Sequence, residues 1–184
     1  MDGKKFEIAF HETGHAVMAL ICGQEVRSIS LKEMASPRGT DKYLGSTSIP
    51  FEKKPVLTIN EALCRMKVAL GGFASEILLF DGSTKMGGDD LTSAVSAVES
   101  MMQSQDFRNL AARLPVPTPG RLDNMIGDPT VRAVIDYHIG VCVEELTPFK
   151  PLLQTIAENL CEREELTGEQ VTQLFNSFVS SKTR

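Results

Sequence analysis

The segment Phe10-His11-Glu12-Thr13-Gly14-His15-Ala16 constrains this chain more than any other. The protein has only three histidines, and two of them stand four residues apart here. Four residues is a little over one helical turn, so on an α-helix both imidazoles share one face. The flanking residues support a helix. Phe6, Ile8, Ala9, Phe10, Val17 and Leu20 form a broad apolar surface, and Gly23 is a plausible C-cap. The predicted helix runs from about Lys4 to Cys22 and is largely buried.

Two imidazoles on one helical face can hold one metal ion, and neutral imidazole suits zinc. Glu12 lies beside the first histidine, where it can take a proton from a water that the metal polarises. This is the HExxH pattern of zinc peptidases. Gly14 adds to the signal. Glycine is a poor helix former, costing about 1 kcal/mol relative to alanine. A bare position beside the second histidine makes room for another backbone. A catalytic zinc site needs three protein ligands and an open position. For the third ligand the residues themselves leave several candidates: Glu76, Asp81, Asp89, Asp90 and the remaining histidine, His138.

The rest of the chain narrows the function classes. Its net charge is −5, with acidic and basic residues interspersed, and no Lys/Arg cluster marks a nucleic-acid surface. No apolar run is long enough for a transmembrane helix. Cys22, Cys64, Cys142 and Cys161 are widely spaced and form no CxxC pair, so reduced, mostly buried thiols are expected. The N-terminus has no secretory-signal pattern, and a cytoplasmic location is the expectation.

A single domain over 1–184 is expected, mainly α, with one small antiparallel β-ribbon beside the HExxH helix. It divides into a zinc-site half (1–104), a long loop (105–128) and C-terminal helices (129–184). The run EVRSISL alternates like a strand, and YLGSTSI pairs with it across the turn-rich ASPRGTD. The ribbon's outer edge is open to a partner. Thr58 and Glu61 form a capping box that opens a helix to Phe80, stopped by Asp81-Gly82. That helix contains Gly71-Gly72, which implies close approach of another backbone. A further helix starts near Asp90. Prolines and glycines in LPVPTPGRLDNMIGD mark residues 105–128 as loop. Asp128-Pro129 and Thr147-Pro148 each read as a cap followed by a first helical residue, and Thr167 with Gln170 as a second capping box.

Three segments in order, AFHETGHAVMAL, LGGFASEILLF and GGDDLTSAVSAVESMM, resemble the peptidase domain of the FtsH-type ATP-dependent zinc metalloproteases. That family reads HEAGHA, then GGRAAEE, then a glycine-containing loop ending in NDL before a helix. YLGSTSIP and ELTGEQV also look like its strand after the first helix and its closing helix start, so the resemblance spans roughly residues 4–178. It implies that His11 and His15 bind zinc, that Asp90 is the third ligand and that Glu12 is the general base, a gluzincin- or aspzincin-like set. Glu76 matches the first glutamate of the family's AEE, as a group that orients a ligand histidine. Phe73 stands where the family has arginine.

The resemblance implies a zinc metalloendopeptidase acting on unfolded or extended polypeptides. The substrate would add as a strand along Leu44, Gly45 and Ser46. The family's domains assemble as hexamers. This sequence contains no GxxxxGK[ST] phosphate loop, which leaves a separate ATPase as a candidate partner. The rival reading is a zinc-binding interaction or regulatory module with weak or no proteolysis. Against it stands Glu12, which a purely structural zinc site does not need.

Overall fold

The computed structural model describes residues 3–34, 42–54, 56–80, 88–115, 122 and 125–182. Helix α1 (Gly3–Ile21) is followed by strands β1 (Ser28–Met34) and β2 (Lys42–Ser48), then by helices α2 (Ile59–Phe80), α3 (Gly88–Met101) and α4 (Gln105–Ala111). The C-terminal part holds α5 (Pro129–Leu146), a 3-10 turn (Thr147–Phe149), α6 (Lys150–Arg163), strand β3 (Glu165–Thr167) and α7 (Gly168–Lys182). The architecture is mainly α with one small antiparallel sheet, as expected.

Helix α1 is central, with Phe10, Ala16, Val17, Met18 and Ala19 all buried. It ends where expected: Gly23 adopts φ +72°, and the Gln24 amide closes onto the Ala19 carbonyl at 2.8 Å. Helix α2 lies against it at backbone contact. A Cβ on Gly14 would fall 2.4 Å from the Gly71 carbonyl oxygen, and one on Gly71 would fall 2.7 Å from that of Gly14. Two helices that close leave no volume for side chains at the crossing, which explains the glycines that local propensity disfavours. Ser75 reinforces the contact, its hydroxyl lying 3.1 Å from the Phe10 carbonyl oxygen and 2.7 Å from that of Gly72. Phe73, in place of the family's arginine, is buried in the core.

Helix α2 starts on its capping box, with the Glu61 amide donating to Thr58 Oγ1 at 3.2 Å and the Thr58 amide to Glu61 Oε2 at 2.9 Å. The Asp128 cap of α5 holds the Thr130 and Val131 amides at 2.7 and 3.1 Å. The Thr167–Gln170 box opens α7 in the same way.

One expectation is extended and two need correction. The ribbon is a three-stranded sheet of order β2-β1-β3, because Glu165–Thr167 pairs with Ser28–Ser30. Three residues are too short a run for periodicity to reveal. The stretch from residue 105 does not begin as loop. Its prolines start only at Pro115, so the residues before them form α4, capped by Ser104. Thr147 caps no helix: it is right-handed, its hydroxyl donates back to the Val143 carbonyl at 2.7 Å, and α5 runs through the 3-10 turn into α6. The predicted stop at Asp81-Gly82 and the turn at 35–41 lie outside the described residues.

Strand β1 occupies the middle of the sheet, with Ile29 and Leu31 buried. Strand β2 pairs with it in fixed register, Gly45 opposite Leu31 and Thr47 opposite Ile29. Among the described residues the other edge of β2 has no strand partner. Leu44, Ser46 and Ser48 are exposed, while Gly45 and Thr47 alternate with them and turn inward.

Candidate metal centre

Helices α1, α2 and α3 bring the centre together. One turn of α1 sets His11 and His15 side by side, with ring centroids 4.7 Å apart and Nε2 atoms 3.0 Å apart. Asp90, in the first turn of α3, places Oδ2 3.0 Å from His11 Nε2 and 3.3 Å from His15 Nε2. Three donor atoms thus converge at spacings of 3.0, 3.0 and 3.3 Å. Bonds of about 2.0–2.1 Å in a tetrahedral zinc site imply ligand–ligand edges of about 3.3 Å. Among the described residues this is the only group of three ligating side chains gathered so closely.

The outer nitrogens of both rings have partners that set the tautomers. His15 Nδ1 lies 2.7 Å from the Val68 carbonyl oxygen, which can only accept, so Nδ1 carries the proton. His11 Nδ1 lies 2.6 Å from Glu76 Oε1, and the carboxylate imposes the same tautomer. Both Nε2 lone pairs then point at each other and at a carboxylate oxygen. Three electron-rich atoms at these distances repel unless a cation or a proton lies among them. The donor set therefore fits a divalent metal. In its absence a proton fills the role. Burial disfavours a charged His11, but the hydrogen bonds to Asp90 and Glu76 and the nearby charges of Glu76 and Glu12 outweigh it and raise its pKa to about 10. Burial works against the Asp90 carboxylate too, yet the bonds to His11 and His15 hold its pKa well below the ordinary range.

Room for the rings comes from α2. A Cβ on Gly72 would lie 2.5 Å from His15 Nε2 and 2.6 Å from His11 Nε2. The glycine pair thus has two separate tasks: Gly71 admits the α1 backbone, and Gly72 clears the two imidazoles. Glu12 is buried on α1, and its carboxylate faces β2, where Thr47 donates to Oε2 at 2.7 Å. A cleft of about 970 Å³ opens over Glu12, His15 and Asp90 and continues between Phe51, Val68 and Ser93.

Of the residues singled out from sequence, His11, His15, Asp90, Glu12 and Glu76 meet here. Gly45 and Ser46 border the same cleft, and Leu44 lies on the outer face of β2. Asp89 borders the cleft but is exposed. Asp81 lies outside the described residues. His138 is elsewhere, on α5, donating to the Val134 carbonyl at 2.8 Å, and burial lowers its pKa. Sequence reasoning missed Thr47 and the Val68 carbonyl. The first was legible only as the inward neighbour of Gly45 at period two, and the second is backbone, without a sequence signature.

The sequence model described as Peptidase family M41 matches residues 1–112. The chain belongs to peptidase family M41. An ATP-dependent zinc metalloprotease FtsH from Methylococcus capsulatus is 27% identical over 97% of this M41 chain and 30% of its own length. The ATP-dependent zinc metalloprotease YME1 homolog of Schizosaccharomyces pombe is 29% identical over 92% of the chain and 24% of its own. One from Petrotoga mobilis reaches 39% identity, over 55% of the chain and 15% of its own length. The M41 chain therefore spans under a third of the length of these curated relatives. No described helix is long and apolar enough to cross a membrane.

Proposed function

We propose that this M41 chain is a zinc metalloendopeptidase that hydrolyses peptide bonds in unfolded or extended polypeptides. The observation that carries the reading is the convergence of His11 Nε2, His15 Nε2 and Asp90 Oδ2, with both rings oriented from behind by Glu76 and Val68. These three residues would hold the zinc. When bound, zinc supplies a Lewis acid for the scissile carbonyl and lowers the pKa of water toward neutrality. Glu12 accepts the proton of the attacking water and returns it to the leaving amine. Glu76 keeps the His11 ring in one tautomer and one orientation. Among the described residues the outer edge of β2 has no strand partner, so strand addition along Leu44, Gly45 and Ser46 would lay the substrate across Glu12.

The relatives are named ATP-dependent, and these 184 residues contain no phosphate-loop motif. An ATPase, on a separate chain or on a longer parent chain, is the proposed partner for folded substrates. A homo-oligomer and a cytoplasmic location complete the proposal.

The test is cleavage of casein by the zinc-loaded protein, with Glu12→Gln as control and zinc content measured on both. The reading expects cleavage by the parent protein alone, at equal zinc content. Cleavage that survives in Glu12→Gln would overturn the role of Glu12. Zinc bound by both with no cleavage by either would favour an interaction module. Asp90→Ala should lose most of the zinc, and an unchanged zinc content would remove Asp90 from the ligand set.

A further inference from the structure

The carboxylate of Glu12 is seated on β2. Residues 45 and 47 of that strand face α1, two apart on the inner side. The Thr47 hydroxyl donates to Glu12 Oε2 at 2.7 Å and lies 3.0 Å from the Glu12 carbonyl oxygen. It has one proton, and the shorter contact to the charged acceptor is the stronger. Gly45 shapes the rest of the seat: a Cβ there would fall 2.4 Å from Glu12 Cγ and 2.5 Å from Oε1. The seat cannot drift along the helix. Thr47 pairs with Ile29 and Gly45 with Leu31, both partners buried, and a slip of one residue would turn Ser46 or Leu44 onto Glu12.

Resting on the reading of Glu12 as general base, we infer that Thr47 is a positioning residue for it. Thr47 occupies Oε2 and so leaves Oε1 as the oxygen that exchanges the proton. Among the described residues Oε1 has no hydrogen-bond donor. The same strand thereby carries the proposed substrate edge and a fixed seat for the base, so the distance between substrate and base is set within one element.

The test compares Thr47→Val with Thr47→Ser. Valine keeps the branched shape without the hydroxyl, and serine keeps the hydroxyl. Small misplacement of a reacting group costs up to about 100-fold in rate. Thr47→Val should therefore lower kcat on a casein-derived peptide by about 10- to 100-fold, with KM and zinc content unchanged. Thr47→Ser should recover most of the loss. Full kcat in Thr47→Val, or a loss in Thr47→Ser as deep as in valine, overturns the inference. Activity in Glu12→Gln overturns instead the reading beneath it. A second measurement needs no turnover: unfolding midpoints of Thr47→Val, Glu12→Ala and the double variant. Losses smaller in the double variant than their sum support the seat, and additive losses overturn it.

Discussion

Gly72 lies against the Nε2 edge of His15, so close that a methyl group there would stand 2.5 Å from that nitrogen. The obstruction is to flexible ring tips rather than to backbone, so the fold can absorb it while the donor geometry cannot. Gly72→Ala should keep the helical circular-dichroism spectrum and lose zinc affinity by about 10-fold or more. Metal analysis after dialysis against a chelator checks this, and full zinc retention would contradict it.

Gly14→Ala should behave differently. Its Cβ would meet the Gly71 carbonyl oxygen at 2.4 Å and Ser75 Oγ at 2.5 Å, so two helix backbones must part. Overpacking of this kind costs about 1–3 kcal/mol or more. For a chain of this size the unfolding midpoint should fall by roughly 2–4 °C per kcal/mol. A thermal melt of the metal-free protein reads this without interference from the metal.

Glu76→Gln keeps a hydrogen-bond acceptor beside His11 but removes the charge behind its Nδ1. Loss of such an outer partner typically costs about 10- to 100-fold in metal affinity or activity. Competition with a chelating dye should show a loss in that range, deeper for Glu76→Ala. Equal affinity in all three proteins would exclude Glu76 from orienting the ring.

The metal-free fold should depend on pH through His11. Its pKa is raised from 6.5 to about 10, against the cost of burial, by Asp90 and Glu76. A raised folded-state pKa stabilises fully below the unfolded value and is lost as pH climbs through the folded one. The metal-free protein should therefore lose stability between about pH 6.5 and 10. Zinc must displace the same proton, so its apparent affinity should rise about tenfold per pH unit near neutrality. Calorimetry in buffers of different ionisation heat should find roughly one proton released per zinc. Release of none would mean that His11 is neutral before metal arrives.

The parts of this site that were legible in the sequence are those encoded by side-chain identity at short range. His11, Glu12 and His15 announce themselves by spacing, and the boundaries of α1 and α2 by Gly23 and by the Thr58–Glu61 box. Asp90 and Glu76 could be chosen among several acids only through resemblance, since nothing local ties residue 90 to residue 11. Strand β3 and the seat made by Thr47 depend on which elements meet across the fold, and the Val68 carbonyl is a group every residue has. Thr147 misled because a threonine before proline resembles a cap, while its hydroxyl was satisfied inside the preceding helix.

His11 and Asp90 meet across 79 residues of chain. At about 5–20 residues per second, a ribosome needs roughly 4–16 s to deliver the third donor after the first. On the proposed ligand set, the histidine helix spends that interval unable to form a complete site. The motif alone therefore cannot complete that set: the third donor arrives only when α3, packed on α2, presents Asp90 to His11.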